Sequence, residues 1–146
     1  ALPSFSQGRL LESSAEKKPM WVKHDVEKYD VLKISMESTV SLEDAKTRAF
    51  DGLRNLVINN TTTYMLRINY DGREAEEIMN DVRNSDFVRN ISEYSAIETY
   101  WEHRLIKRQD VYIYYILYDF NDFEKKKISL DIDQARSSTM DELNKL

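Results

Sequence analysis

Two histidines are the natural starting point for any chemistry in this chain: His24 beside Asp25 and His103 beside Glu102. A metal centre needs about three converging ligands, and neighbours in sequence point to opposite faces of a strand, so neither pair reads as a metal site. His103 shares a strand face with Trp101 and Leu105, where a packed, hydrogen-bonded imidazole is the ordinary outcome. The catalytic alternative is a small cone-shaped α+β hydrolase or ligand-binding enzyme, in which Glu98 or Glu102 assists His103 in a pocket. Serine nucleophiles lack a Gly-x-Ser-x-Gly turn, and Gly8, Gly52 and Gly72 stand too far apart to cradle a phosphate. The carboxylate pairs Glu43–Asp44 and Glu76–Glu77 fall on helix surfaces, where solvation and the helix dipole account for them. We therefore expect no catalytic residue, no metal and no cofactor.

The aromatic residues carry more information. Tyr100, Tyr112, Tyr114 and Tyr118 are candidates to share a sheet surface that offers both apolar area and hydroxyl groups, the chemistry of a protein, peptide or glycan contact, with ordinary sheet packing as the alternative. Trp21 joins them as a candidate binding residue at the start of the folded region. Its ordinary role would be to anchor the incoming chain in the core.

Positioning these residues requires several elements. Tyr29 to Val40 alternates, with Leu32, Ile34, Met36 and Val40 on one side, which is the pattern of a half-buried strand. Ser41, with Glu43 and Asp44 behind it, opens a helix whose Ala45, Ala49 and Gly52 allow close approach to a sheet. That helix is expected to weaken across Asn59 to Thr63, whose side chains compete for backbone hydrogen bonds. Asp71-Gly72 marks a turn, and Arg73 to Arg83 has helical spacing.

Tyr94 to Ile106 reads as a long strand with Ile97, Thr99, Trp101, His103 and Leu105 facing inward and Glu98, Tyr100, Glu102 and Arg104 facing the other way. A short connection at Lys107 to Asp110 leads to Val111–Tyr118, which is apolar on both sides and reads as a central strand. Asn121 or Asp122 then caps a terminal helix from about Phe123, with an interruption at Ser137-Ser138-Thr139. The order β-α-α-β-β-α predicts an α+β fold: an antiparallel sheet of three or more strands with helices packed mainly on one face.

The chain has 146 residues, a formal net charge of −5 and no cysteine, which excludes disulfides and thiolate metal sites. This length and balance suit one globular domain rather than a disordered chain. The acidic excess argues against nucleic acid as a partner, and the Arg104–Arg108 and Lys125–Lys127 clusters read as solvated faces. Sequons at Asn59, Asn60 and Asn90 carry little weight. No apolar run approaches the ~18 residues of a transmembrane span. Residues 1–18 read as a polar leader or linker, and residues 19–146 as a single α+β domain.

Pro19-Met20-Trp21-Val22, just before the first expected strand, resembles the opening of the lipoprotein-20 family of bacterial envelope proteins. A helix carrying Ala45 and Ala49, the strand Thr99-Tyr100-Trp101-Glu102 and the tyrosine-rich Val111–Tyr118 strand extend the resemblance over residues 19–135. It implies an α+β domain similar to the N-terminal domain of a periplasmic flagellar-assembly protein. Such proteins are exported to the periplasm or outer membrane and often lipid-anchored, here through a cysteine that would lie upstream of Ala1. The function implied is a noncatalytic envelope module that contacts other envelope proteins, or copies of itself, through the aromatic sheet face or the Pro19–Val22 segment.

Overall fold

The structure is a computed structural model that describes residues 8–24, 31–68, 73–93, 95 and 98–145. It is α+β, and its elements divide between two compact units. Residues up to Leu53 together with Ser92–Asp119 form the first unit, and Arg54–Ile91 with Phe120 onward form the second. The expected boundary at residues 18 and 19 coincides with neither.

The first unit is built on an antiparallel sheet of four strands in the order β1-β3-β4-β2: β1 (Arg9–Ser13), β2 (Val31–Ser38), β3 (Glu98–Ile106) and β4 (Gln109–Asp119). As its two-sided apolar pattern required, β4 lies between two partners, with Ile116 opposite both Ile34 and Thr99 and fully buried. The Tyr29–Asp30 start of the predicted first strand, and Tyr94 and Ile97 of the next, lie outside the described residues, as does the Asp71-Gly72 turn. Val40 falls beyond the end of β2 and is exposed, so Ser38 takes the buried position at that end.

β1 corrects the reading of residues 1–18 as a leader. Arg9–Ser13 pairs with β3, opposite Leu105 to Glu102, with an irregularity between Leu10 and Glu12. Gly8 introduces this strand at φ +70°, and a Cβ there would come within 2.1 Å of the Leu105 carbonyl oxygen. Both facts call for glycine.

Helix α2 (Leu42–Ile68) starts where Ser41 accepts the Asp44 amide at 3.0 Å, the expected cap. Ser38 Oγ donates to Asp44 Oδ2 at 2.6 Å and Arg48 reinforces the charge, so the Asp44 carboxyl is held below its ordinary range. The small-residue stripe works as anticipated: Ala45 and Ala49 are fully buried, and Gly52 lies against Ile34 and Met36. Phe50 meets Tyr114 with ring centroids 6.1 Å apart. α2 does not weaken at Asn59–Thr63, because Asn60, Thr62 and Thr63 donate back to the carbonyls of Leu56, Ile58 and Asn59 within the helix.

The opposite sheet face is covered by the chain that follows β1, including α1 (Met20–Lys23). Ser14 exchanges two 3.0 Å hydrogen bonds with the Trp101 backbone, and Lys33 donates to the carbonyls of Val22 and His24 at the other end of the segment. Between them, Lys18 reaches Glu102 and lies over the Tyr115 ring.

The β3–β4 connection is tighter than its sequence indicates. Ile106 pairs with Gln109, leaving a two-residue turn in which Lys107 and Arg108 both have positive φ, 51° and 65°. This is the twist a hairpin prefers, held by residues that adopt it at a cost of about 1 kcal/mol or more each. Lys107→Asn with Arg108→Gly should therefore raise stability by about 1 kcal/mol, a gain of a few degrees in Tm by circular dichroism. An unchanged or lower Tm would contradict the turn geometry.

The second unit is helical. It contains the later part of α2, then α3 (Ala75–Arg83), α4 (Asp86–Arg89) and α5 (Asp122–Asn144). α4 is an element the sequence reading lacked; Ser85 caps it, accepting the Val88 amide at 3.4 Å. Asn121 caps α5 as expected, accepting from Glu124, and α5 runs unbroken through Ser137–Thr139, with Thr139 bonded to the Ala135 carbonyl. Ile78 and Val82 of α3, Val88 of α4, and Ile128 and Ile132 of α5 are buried in this unit.

Candidate functional site

The candidate aromatic surface does not form, and the tyrosines follow the alternative of ordinary sheet packing. Strand alternation places Tyr112, Tyr114 and Tyr118 on the face that meets α2, while Tyr100 lies on the opposite face beside Tyr115, ring centroids 5.8 Å apart. Tyr100, Tyr114 and Tyr118 are buried at 2%, 6% and 5% exposure, and Tyr112 is half-buried beneath His103. Trp21 is half-buried in α1, its indole Nε1 enclosed without a hydrogen-bond partner. These side chains pack the two sheet faces instead of presenting them.

β3 is also buried on the face opposite to the one its apolar residues indicated. Tyr100 and Glu102 point into the covered side, and Glu102 is wholly buried. Its Oε2 accepts from Arg104 Nε, and its Oε1 lies 3.1 Å from Lys18 Nζ. Burial alone would raise the Glu102 carboxyl, but hydrogen bonds and charge from Arg104 and Lys18 outweigh it and hold the group below its ordinary range. Burial, with the Glu102 charge nearby, pushes the Tyr115 phenol up to about 12 and raises Tyr100 as well. The cluster holds a carboxylate firmly ionised, which is the reverse of what a general acid requires.

His103 meets neither Glu102, which points to the other face, nor Glu98, which is on that same opposite side. Its carboxylate is Asp110, with Nε2 to Oδ1 2.9 Å, and its ring stacks on Tyr112 at 4.3 Å and 17°. Asp110 is 60% exposed, so the pair links the two strands near the turn of the hairpin, at the protein surface. Among the described residues no group of three His, Asp or Glu side chains is placed to hold a metal ion, and no helix is long and apolar enough to cross a membrane.

The feature that sequence reasoning missed lies in the second unit. Between α5 and the α3–α4 segment runs an open groove of about 670 Å³. Along α5 its lining follows Ile128, Asp131, Ile132, Ala135, Thr139 and Met140, one continuous helical stripe. Phe87 adds apolar surface from α4, and Glu77, Asp81 and Asp86 supply acid from the other wall. Arg136 is the one cation in the lining among the described residues; it contacts Glu77 at 3.0 Å and Asp81 at 3.6 Å. Arg73, 4% exposed, also reaches Asp81 at 3.4 Å and Asp133 at 3.2 Å. The two Arg73 pairs brace α3 against α5. Nothing in the sequence sets these acidic residues apart from ordinary helix surface.

No family model, no curated protein and no solved structure matches this chain.

Proposed function

We propose that this chain is a noncatalytic protein-contact module of the bacterial cell envelope, and that its contact surface is the groove of the second unit. The carrying observation is the groove itself: an open channel floored by buried Ile128 and Ile132, with Ala135, Met140 and Phe87 reaching its surface and carboxylates framing it. Its volume lies within the range of sites that receive side chains or ligands, roughly 300–1,000 Å³. The converging charged groups elsewhere are engaged, Glu102 by Lys18 and Arg104, and His103 by Asp110, which supports a binding role over the His103 hydrolase alternative. Placement in the periplasm or outer membrane, with or without a lipid anchor upstream of Ala1, rests on the resemblance carried by Pro19–Val22. Envelope proteins are the partners proposed.

A photo-crosslinking amino acid at Thr139 in the full-length protein tests this reading in the cells that make it. The expected result is a discrete adduct with another protein, recovered from the envelope fraction and absent when the same probe replaces exposed Glu16. Adducts identical at the two positions would remove the groove as the contact surface. Adducts found only in the cytoplasm would remove the envelope placement.

A further inference from the structure

We propose that the occupant of this groove is a basic amphipathic α-helix from another protein. The inference rests on reading the groove as a contact surface and adds the chemistry of what it contacts.

Shape selects a helix. The lining positions on α5 run from Ile128 to Met140, a distance of ~18 Å at ~1.5 Å per residue. A partner helix presenting apolar residues at i, i+3, i+4 and i+7 covers that length, with Ala135, Met140 and Phe87 as the apolar surface it meets above the buried Ile128 and Ile132. A compact small molecule would leave much of so long and open a channel unfilled.

Charge selects a basic one. Among the described residues, Glu77, Asp81, Asp86 and Asp131 face the groove against the cation Arg136. Arg136 is already shared between Glu77 and Asp81. Asp86 and Asp131, on opposite walls, are left to meet lysine or arginine on the flanks of an incoming helix. A second copy docking through the same face would bring two acidic linings together, with Asp141 and Glu142 of α5 beside them, so like charge disfavours self-pairing here.

The probe is a synthetic leucine–lysine peptide with leucines at i, i+3, i+4 and i+7, followed by fluorescence anisotropy against the full chain. Comparison peptides are a scramble of the same composition and a leucine–glutamate counterpart. We expect saturable binding of the basic amphipathic peptide, weakened by added salt, and at least tenfold weaker binding by the scramble and the acidic peptide. Asp86→Asn with Asp131→Lys should lower affinity about tenfold. Ala135→Trp, which fills the groove from an exposed position, should abolish binding with the circular dichroism spectrum unchanged. Glu16→Lys, a charge change remote in sequence and in the other unit, should leave it intact.

Equal binding of the scramble, or equal loss with Glu16→Lys, would mean general attraction to an acidic protein and would overturn the proposal. Binding of the acidic peptide that Ala135→Trp abolishes would also overturn it, while leaving the groove a contact surface. If Ala135→Trp affects no peptide of any charge, both readings fall. Sedimentation showing that the free chain self-associates through the groove would replace the foreign helix with a second copy and overturn the inference.

Discussion

Glu102→Ala is expected to destabilise the sheet unit by about 3 kcal/mol, read as a lower urea midpoint with little change in slope. Glu102 is completely buried and faces two cations, Arg104 at 12% and Lys18 at 27% side-chain exposure. Deleting the carboxylate strands the Arg104 guanidinium and the Lys18 ammonium near a low-dielectric face, and an unpaired buried charge costs more than the intact pair contributes. It follows that the change to Lys18→Met, Glu102→Leu and Arg104→Leu together should recover most of the loss, since no charge then remains to be compensated. A single Glu102→Ala variant within about 0.5 kcal/mol of the parent would show that the segment after β1 is not held down through this contact.

The same cluster sets a pH dependence of definite sign. The Glu102 carboxyl is depressed in the folded chain, its burial outweighed by Arg104 and Lys18. The unfolded chain therefore takes up its proton first as pH falls, and stability from this group is complete above about pH 4.3 and lost below it. Subtracting the acid limb of Glu102→Gln from that of the parent isolates the contribution. On the alkaline side the Tyr115 phenol, raised to about 12 by burial and the Glu102 charge, stays protonated where an unfolded tyrosine ionises, at about 10. Its stabilisation is present below that value and disappears between the two. Phenolate absorbance should show one tyrosine titrating late, and Tyr115→Phe should remove it.

Both effects come from the part of the fold least legible in sequence. β4 announced itself because both its faces are apolar, and the caps Ser41 and Asn121 did so because capping is a local interaction. β1 is five residues of mostly exposed side chains, and only its pairing with β3, far along the chain, makes it a strand. Glu102 read as outward-facing because a charge alone belongs in water; its burial depends on Lys18, a residue of the supposed leader. Once that lysine covers the sheet, the face with Tyr100 becomes the buried one. The groove was obscured in a similar way: Glu77, Asp81 and Asp131 look like solvated helix residues until α3 and α5 are set side by side.

That juxtaposition gives Arg73 and Arg136 opposite expected phenotypes, although each is an arginine bound to Asp81. Arg73 is nearly buried, at 4% side-chain exposure, and links Asp81 of α3 to Asp133 of α5. Arg73→Met should lower stability by about 2 kcal/mol, at the low end for a broken buried pair because both carboxylates retain some solvent. Loosening the walls should also weaken the basic amphipathic peptide severalfold. Arg136 is 43% exposed, and its ion pairs with Glu77 and Asp81 are partly screened, so Arg136→Met should change stability by less than about 1 kcal/mol. Removing this cation makes the groove more acidic, and the same peptide should then bind more tightly. Urea midpoints followed by helical circular dichroism, paired with peptide anisotropy, separate the two residues on both axes. Equal losses of stability and affinity from both substitutions would mean that Arg136 braces the wall as Arg73 does, and the assignment of one to structure and the other to groove charge would fail.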